Sequence, residues 1–237
     1  MIPIRRTLSF LSQPERWIPV VILVAFCVLA LNRYSQSLPR KLSADDDPPY
    51  TTNLIVNGDF DLWDPPVVRN PPAYAPFAGN WHLGYDGSNV QFTASRQSDP
   101  TGRPYLRLER DVTAQNQHYN NLEYFVPGAT YFANRTATVS FRARLQGSAT
   151  GVLGVRLAQD VRLGKFRRPL TPQLFKPGDE WARYSATFFL PALDPQLIEW
   201  PNYLMLFFEL PLNEPLSFEI TDVQLEYGSR ATPFQRP

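Results

Sequence analysis

The chain has 237 residues, enough for one ordinary domain and a short extra segment but not for two large domains. Its 23 Lys and Arg against 22 Asp and Glu leave a formal charge of +1, which argues against a nucleic-acid partner held by a strong overall positive field. One cysteine and two histidines exclude an intrachain disulfide framework and a cysteine-rich zinc site, while 24 prolines suit many short strands joined by loops.

Residues 1–16 carry Arg5, Arg6 and Arg16 and read as an N-terminal cytoplasmic segment. From Trp17 to Leu31 the sequence WIPVVILVAFCVLAL has neither charge nor polar side chain. Its length falls short of the roughly 20 residues that usually cross a bilayer. Arg16 and Arg33 can nevertheless extend their charged ends to the interface, and Trp17 and Tyr34 suit the headgroup layer. The expectation is a single transmembrane helix over 17–32. A cleaved signal peptide, cut near Val28-Leu29-Ala30, is the alternative. Flanking positive charge is nearly balanced; the free amino terminus and the acidic run Asp45-Asp46-Asp47 tilt the orientation of this single-pass membrane protein towards amino end inside, domain outside. The C-terminal domain is then extracytoplasmic, periplasmic or extracellular. Residues 33–52 combine charge, proline and low hydrophobicity and read as a flexible linker, with an ordered arm lying on a partner as the other reading.

From Asn53 onward the pattern has period two. Leu106 and Leu108 alternate with Arg107 and Glu109; Val139, Phe141, Ala143 and Leu145 alternate with Ser140, Arg142 and Arg144. Leu153, Val155 and Leu157 repeat the theme, as do Tyr184, Ala186, Phe188 and Leu190. Such alternation marks strands with one buried and one wetter face. Tyr203–Leu210 is nearly continuous apolar and reads as a central strand covered on both faces. In the last strand Leu216, Phe218 and Ile220 have even parity, whereas Val223, Leu225 and Tyr227 have odd parity. One continuous strand cannot hold both sets against a core, so a β-bulge is expected near Thr221-Asp222, turning the Asp222 carboxylate from its regular position. Turn signals such as Asn57-Gly58, Asp86-Gly87 and Pro177-Gly178 separate the strands. The expected fold is all-β, an antiparallel sandwich of about eight to ten strands.

Catalytic signatures are missing from the sequence: it holds no GxSxG, HExxH or glycine-rich phosphate loop. Cys27 lies inside the apolar span, and Glu123, Glu180, Glu199 and Glu209 show no pairing from sequence alone. The chain is expected not to be an enzyme. The basic run Arg162, Lys165, Arg167, Arg168 reads as a solvated edge strand, with a surface for anionic polysaccharide or lipid headgroups as the other reading. Asn134-Arg135-Thr136 fits the glycosylation pattern and is read as a chance occurrence.

The opening Asn53-Leu54-Ile55-Val56-Asn57-Gly58-Asp59-Phe60 with Trp63, the stretch VSFRARLQG, the run from Trp181 to Phe188, and the closing Ile220–Gly228 resemble carbohydrate-binding modules of the CenC type. These are galactose-binding-like jelly rolls, and the tail QLEYGSRATPFQRP is similar to the ends of such domains in phage tail and surface proteins. The resemblance spans residues 53–237 and implies a jelly-roll β-sandwich with non-catalytic recognition of a polysaccharide or other glycan. It also implies one structural calcium, for which Asp59 and Asp222 are the candidate ligands. The plainer reading is that Asp59 makes a turn and Asp222 bonds nearby amides.

Sugars present apolar C–H faces, so aromatic platforms flanked by hydrogen-bonding groups are the chemical requirement. The proline-rich loop between Trp63 and Trp81 carries Tyr74 and Phe77, with Tyr85 just beyond it; a second cluster holds Trp200, Asn202 and Tyr203. These six are the candidate ligand-binding residues. Arg69, Asn70, Asn80 and Asn89 could orient hydroxyls, whereas Trp63, Trp81 and Trp181 equally suit the ends of the core. Two functions fit the sequence. One is a membrane-anchored carbohydrate-binding module; the other is a structural accessory subunit of a membrane-protein complex, its span packed against partner helices.

Overall fold

The alternating segments form strands whose apolar sides face one another. A computed structural model describes residues 53–63, 67–71, 73–86, 91–110, 118–146, 151–162, 167–212 and 215–236. The expected cytoplasmic segment, membrane span and linker over 1–52 lie outside these residues, as does Lys165. Among the described residues no helix is long and apolar enough to cross a membrane.

The strands in chain order are β1 (Val67–Arg69), β2 (Pro76–Ala78), β3 (Trp81–Tyr85), β4 (Phe92–Ser98), β5 (Pro104–Arg110) and β6 (Asn120–Pro127). They continue as β7 (Arg135–Gln146), β8 (Leu153–Asp160), β9 (Arg167–Pro169), β10 (Gln173–Phe175), β11 (Ala182–Leu190), β12 (Tyr203–Glu209) and β13 (Leu216–Tyr227). Two antiparallel sheets result. One has the order β1-β4-β5-β13-β7-β11; the other runs β10-β8-β12-β6-β3-β2, with β9 paired to β8.

The described residues thus hold thirteen strands, more than the eight to ten expected. The surplus comes from β1, β2, β9 and β10, each of three residues, too short for alternation to register. The proline-rich stretch before Trp81, read as one long loop, contributes β1 to one sheet and β2 to the other. Arg167 and Arg168 form the edge strand that the basic run suggested.

Inward side chains of both sheets make one core. Val139, Phe141, Ala143 and Leu145 of β7 meet Leu204, Leu206 and Phe208 of β12, and all seven are buried. Trp81 sits at the centre of an aromatic group, with ring centroids 5.0 Å from Phe60 and 5.0 Å from Tyr124. Its indole Nε1 donates to the Asn57 carbonyl at 3.2 Å, which satisfies the polar end of an otherwise apolar side chain.

The bulge lies where the parity change places it. Thr221 pairs with Arg142 and Gln224 with Ser140, so three steps along β13 match two along β7. Asp222 takes up the extra length in the left-handed region, φ 52°. Ile220 and Leu225 consequently both face the core, opposite Ala143 and Val139. Beyond the bulge β13 leaves β5 and is met by the opening segment. The Val223 amide donates to the Gly58 carbonyl at 2.9 Å and the Leu54 amide to the Leu225 carbonyl at 2.9 Å. The buried Asn53 amide donates to the carbonyls of Val223 at 3.1 Å and Gln235 at 3.2 Å, while its oxygen accepts from Ile55 and Leu225 at 3.0 and 3.1 Å. Chain opening, bulge and tail are therefore joined through one side chain.

Close approach explains Gly58. A Cβ there would lie 2.0 Å from the Val223 carbonyl oxygen, a backbone atom that cannot swing aside. Gly58→Ala is expected to cost about 3 kcal/mol by forcing the opening segment off β13. Urea denaturation of the purified chain checks this; an unchanged midpoint would contradict the contact.

Candidate functional site

The outward face of the sheet containing β12 mixes aromatic and polar groups. Strand register sets its rows. His82 of β3, Glu123 of β6, Phe207 of β12 and Arg156 of β8 lie side by side; Gly84, Asn121, Glu209 and Gly154 form the next row. Across the face runs an aromatic diagonal. His82 stacks on Phe125 at 4.5 Å and 27°, and Phe125 lies 6.0 Å from Tyr203. Beneath it Met205 and Phe207 are buried, with the Arg156 and Arg167 guanidinium groups 5.2 and 5.7 Å from the Phe207 ring.

Glu123 stands out within this face. It is 1% exposed, yet one carboxyl oxygen, Oε2, lacks a hydrogen-bond partner among the described residues. The other oxygen accepts from the Asn121 amide at 3.4 Å. Gly84 makes room for it, since a Cβ at that position would come within 2.2 Å of Glu123 Oε1 and 3.2 Å of the Tyr74 ring. Burial pushes the Glu123 carboxyl above the ordinary glutamate range, opposed by Asn121, Arg167 and Arg156. Glu209 in the next row is held differently, as an ion pair with Arg156 at 2.6 Å.

Tyr74 borders the same place from β3's side. Its amide donates to the Leu83 carbonyl, its carbonyl accepts from His82 Nδ1 at 3.0 Å, and its hydroxyl pairs with that of Tyr119. Because the carbonyl can only accept, His82 Nδ1 carries the proton in this contact. The Tyr74 hydroxyl is shifted upward by desolvation, then by Tyr119 and the nearby Glu123 charge, so it stays a hydrogen-bond donor at neutral pH. Asp86 fixes the segment that brings Tyr119 here, accepting from the His118 and Tyr119 amides at 2.8 and 3.1 Å.

Of the six expected ligand residues, Tyr74 and Tyr203 lie at opposite sides of this face. Trp200, 75% exposed, stands on the loop leading into β12 beside Tyr203. The other three are engaged elsewhere. Phe77 packs edge-on against Trp63 at 5.5 Å, and Tyr85 packs near Phe92 with its hydroxyl on the Pro71 carbonyl at 2.9 Å. Asn202 is buried and donates to the Glu199 carbonyl at 3.3 Å, holding the turn that presents Trp200. His82, Glu123, Phe125, Phe207 and Arg156 escaped the sequence reading as a site. The available signal was apolar residues on the outer side as well: Met205 and Phe207, buried here, are why Tyr203–Leu210 reads as covered on both faces, and Phe125 breaks the alternation of β6 in the same way.

Asp59 and Asp222 border one cavity of about 690 Å³ on the other sheet, beside the bulge. Asp59 Oδ2 accepts from Arg236 Nε at 2.7 Å, and Asp222 Oδ2 accepts from Arg103 Nη1 at 3.0 Å with Arg142 at 4.0 Å. Calcium takes about six to eight oxygens. Carboxylates already taken by guanidinium groups are a poor match for that shell, and among the described residues no three His, Cys, Asp or Glu side chains converge as a metal cluster.

No family model matches the chain, and no curated protein matches it. Solved structures do resemble the fold. The enzymatically active domain of tailspike protein 4 from bacteriophage CBA120 has a TM-score of 0.50 at 15% identity, covering 74% of this chain and 21% of that one. A structure titled "CBM4 structure and function" has a TM-score of 0.48 at 15% identity, covering 73% of this chain and 99% of that one. A family 11 carbohydrate-binding module from Clostridium thermocellum, bound to a beta-1,3-1,4-mixed-linked tetrasaccharide, has a TM-score of 0.45 at 18% identity, covering 62% and 88% of the two chains. The chain thus shares its fold with the matched fifth of the tailspike domain.

The buried carboxyl gives a pH test. Its folded-state affinity for protons exceeds that in the unfolded chain, so its contribution lowers stability as pH rises from the ordinary glutamate range through the raised value. Glu123→Gln removes that penalty. The variant is expected to melt above the wild type at neutral pH and to converge with it near about pH 4. Calorimetry across pH checks both limbs; a variant less stable at neutral pH would contradict the sign.

Proposed function

We propose that the domain is a non-catalytic carbohydrate-binding module, and that its sugar seat is the outward face of the sheet built around β12. The observation that carries this reading is the aromatic diagonal His82–Phe125–Tyr203 beside a buried carboxyl with one unpartnered oxygen. Aromatic faces suit the C–H surface of a pyranose ring, and an unmet acceptor suits its hydroxyls. The similarity of the opening and closing motifs to CenC-type modules supports the same reading. Glu123 Oε2 is shielded from solvent, so a ligand hydroxyl meets it only once the covering side chains have moved. The anchor proposed over 17–32 places such a module on the outer side of a membrane, next to envelope or extracellular polysaccharide.

Tyr203→Ala and Phe125→Ala are expected to weaken retention on soluble polysaccharides by tenfold or more, about 1.4 kcal/mol each. Affinity gel electrophoresis with β-glucan, xylan and galactan, run on the detergent-solubilised full chain, checks this. Equal mobility in every gel, with and without polysaccharide, would overturn the proposal. Pull-down from native membranes examines the anchor at the same time: recovery only from the soluble fraction would contradict it.

A further inference from the structure

We propose that the cavity beside the β13 bulge binds an oxyanion, the carboxylate or sulfate of an acidic sugar, at a site separate from the aromatic face. Four arginines reach it from four parts of the chain: Arg103 before β5, Arg142 on β7, Arg183 on β11 and Arg236 in the tail. Only Asp59 and Asp222 oppose them in its lining, which leaves two positive charges in excess. Phe234 supplies an apolar wall.

Cross-strand register sharpens the argument. Arg142 and Arg183 are direct neighbours on β7 and β11, a pairing of like charges that costs stability unless a counter-charge sits between them. A nearby row shows how the same sheet handles this when the counter-charge is built in. There Arg107 and Arg144 flank Glu219, which is fully buried, with Arg107 Nη2 2.6 Å from one carboxylate oxygen and Arg144 Nε bonded to the other. In the Arg142–Arg183 row the β13 position is Thr221, whose hydroxyl is turned to the Pro104 carbonyl at 2.8 Å. The nearest carboxylate, Asp222, is carried aside by the bulge to 4.0 Å from Arg142 and is shared with Arg103. The row therefore holds two guanidinium groups with no carboxylate in it.

Guanidinium groups also match the ligand's geometry. Each presents five donors in a planar fork suited to bidentate oxyanions. Arg183 spends one nitrogen on the Ser140 hydroxyl and the Thr232 carbonyl; Arg236 uses Nε for Asp59 and approaches Asp61 at 3.6 Å through Nη1. These contacts orient the forks and leave further N–H groups in each. At about 690 Å³ the cavity accommodates a sugar ring bearing the charged group.

The test titrates the full chain in detergent with sodium glucuronate, sodium sulfate, glucose and calcium chloride, each by calorimetry. Glucuronate or sulfate is expected to bind, with glucuronate alone indicating a planar carboxylate site and both indicating a general oxyanion site. Affinity should fall as salt rises. Arg236→Gln and Arg183→Gln should each weaken binding by about tenfold. Asp222→Asn keeps a residue that tolerates the left-handed backbone and removes one opposing charge, so it should tighten anion binding. Tyr203→Ala, on the aromatic face, should leave it unchanged, which separates this site from the one proposed above. Silence with both anions, or anion affinity unaffected by either arginine change, would overturn the proposal. Calcium binding that Asp222→Asn abolishes would overturn it too, because the cavity would then be a cation site.

Discussion

One extra residue in β13 organises much of this domain. A regular strand could not turn Ile220 and Val223 to the same core, so the chain inserts a bulge at Asp222. The bulge frees backbone groups of Val223 that β5 no longer reaches, and buried backbone groups need partners. Gly58 and Asn53 supply them. That contact explains why the opening and closing stretches of the sequence together carry the likeness to CenC-type modules: they are two halves of one hydrogen-bonded junction. Asn57 extends it, its side-chain amide exchanging a pair of 2.8 Å bonds with the Leu62 backbone as a neighbouring strand would.

The same bulge separates two ways of handling charge on the sheet containing β13. Where the strand is regular, Glu219 neutralises Arg107 and Arg144 within one row. Where it bulges, the matching carboxylate is displaced and the arginines around it outnumber their counter-ions. On the opposite sheet the imbalance is of another kind, an acidic group buried beside aromatic rings with one oxygen unmet. Each departure from a fully satisfied surface costs stability, a cost that a polar ligand would offset on the functions proposed for the two faces.

Long elements were legible in the sequence because two-residue periodicity needs several repeats to register. β7, β8, β11 and β13 each supply them, β12 was legible instead as an unbroken apolar run, and the parity change even located the bulge. The three-residue strands supply too few. Site residues were harder for a different reason. Loop aromatics look alike in sequence, yet Phe77 and Tyr85 turn inward onto Trp63 and Phe92, whereas Tyr74 turns over Gly84 towards Glu123. The aromatic diagonal joins three strands far apart in the chain, and the arginine cavity joins four segments. Only the sheet order β12-β6-β3 and the pairing of β7 with β11 bring these residues together.

Amide hydrogen exchange at Val223 and Leu225 reads the junction directly. If Gly58 and Asn53 seal the bulge, both amides exchange only through global unfolding, as slowly as the centre of β12, and Asn53→Ala releases Leu225. Exchange of both at the rate of an open loop in the wild-type chain would mean that the bulge is not sealed, and the account built on it would fail.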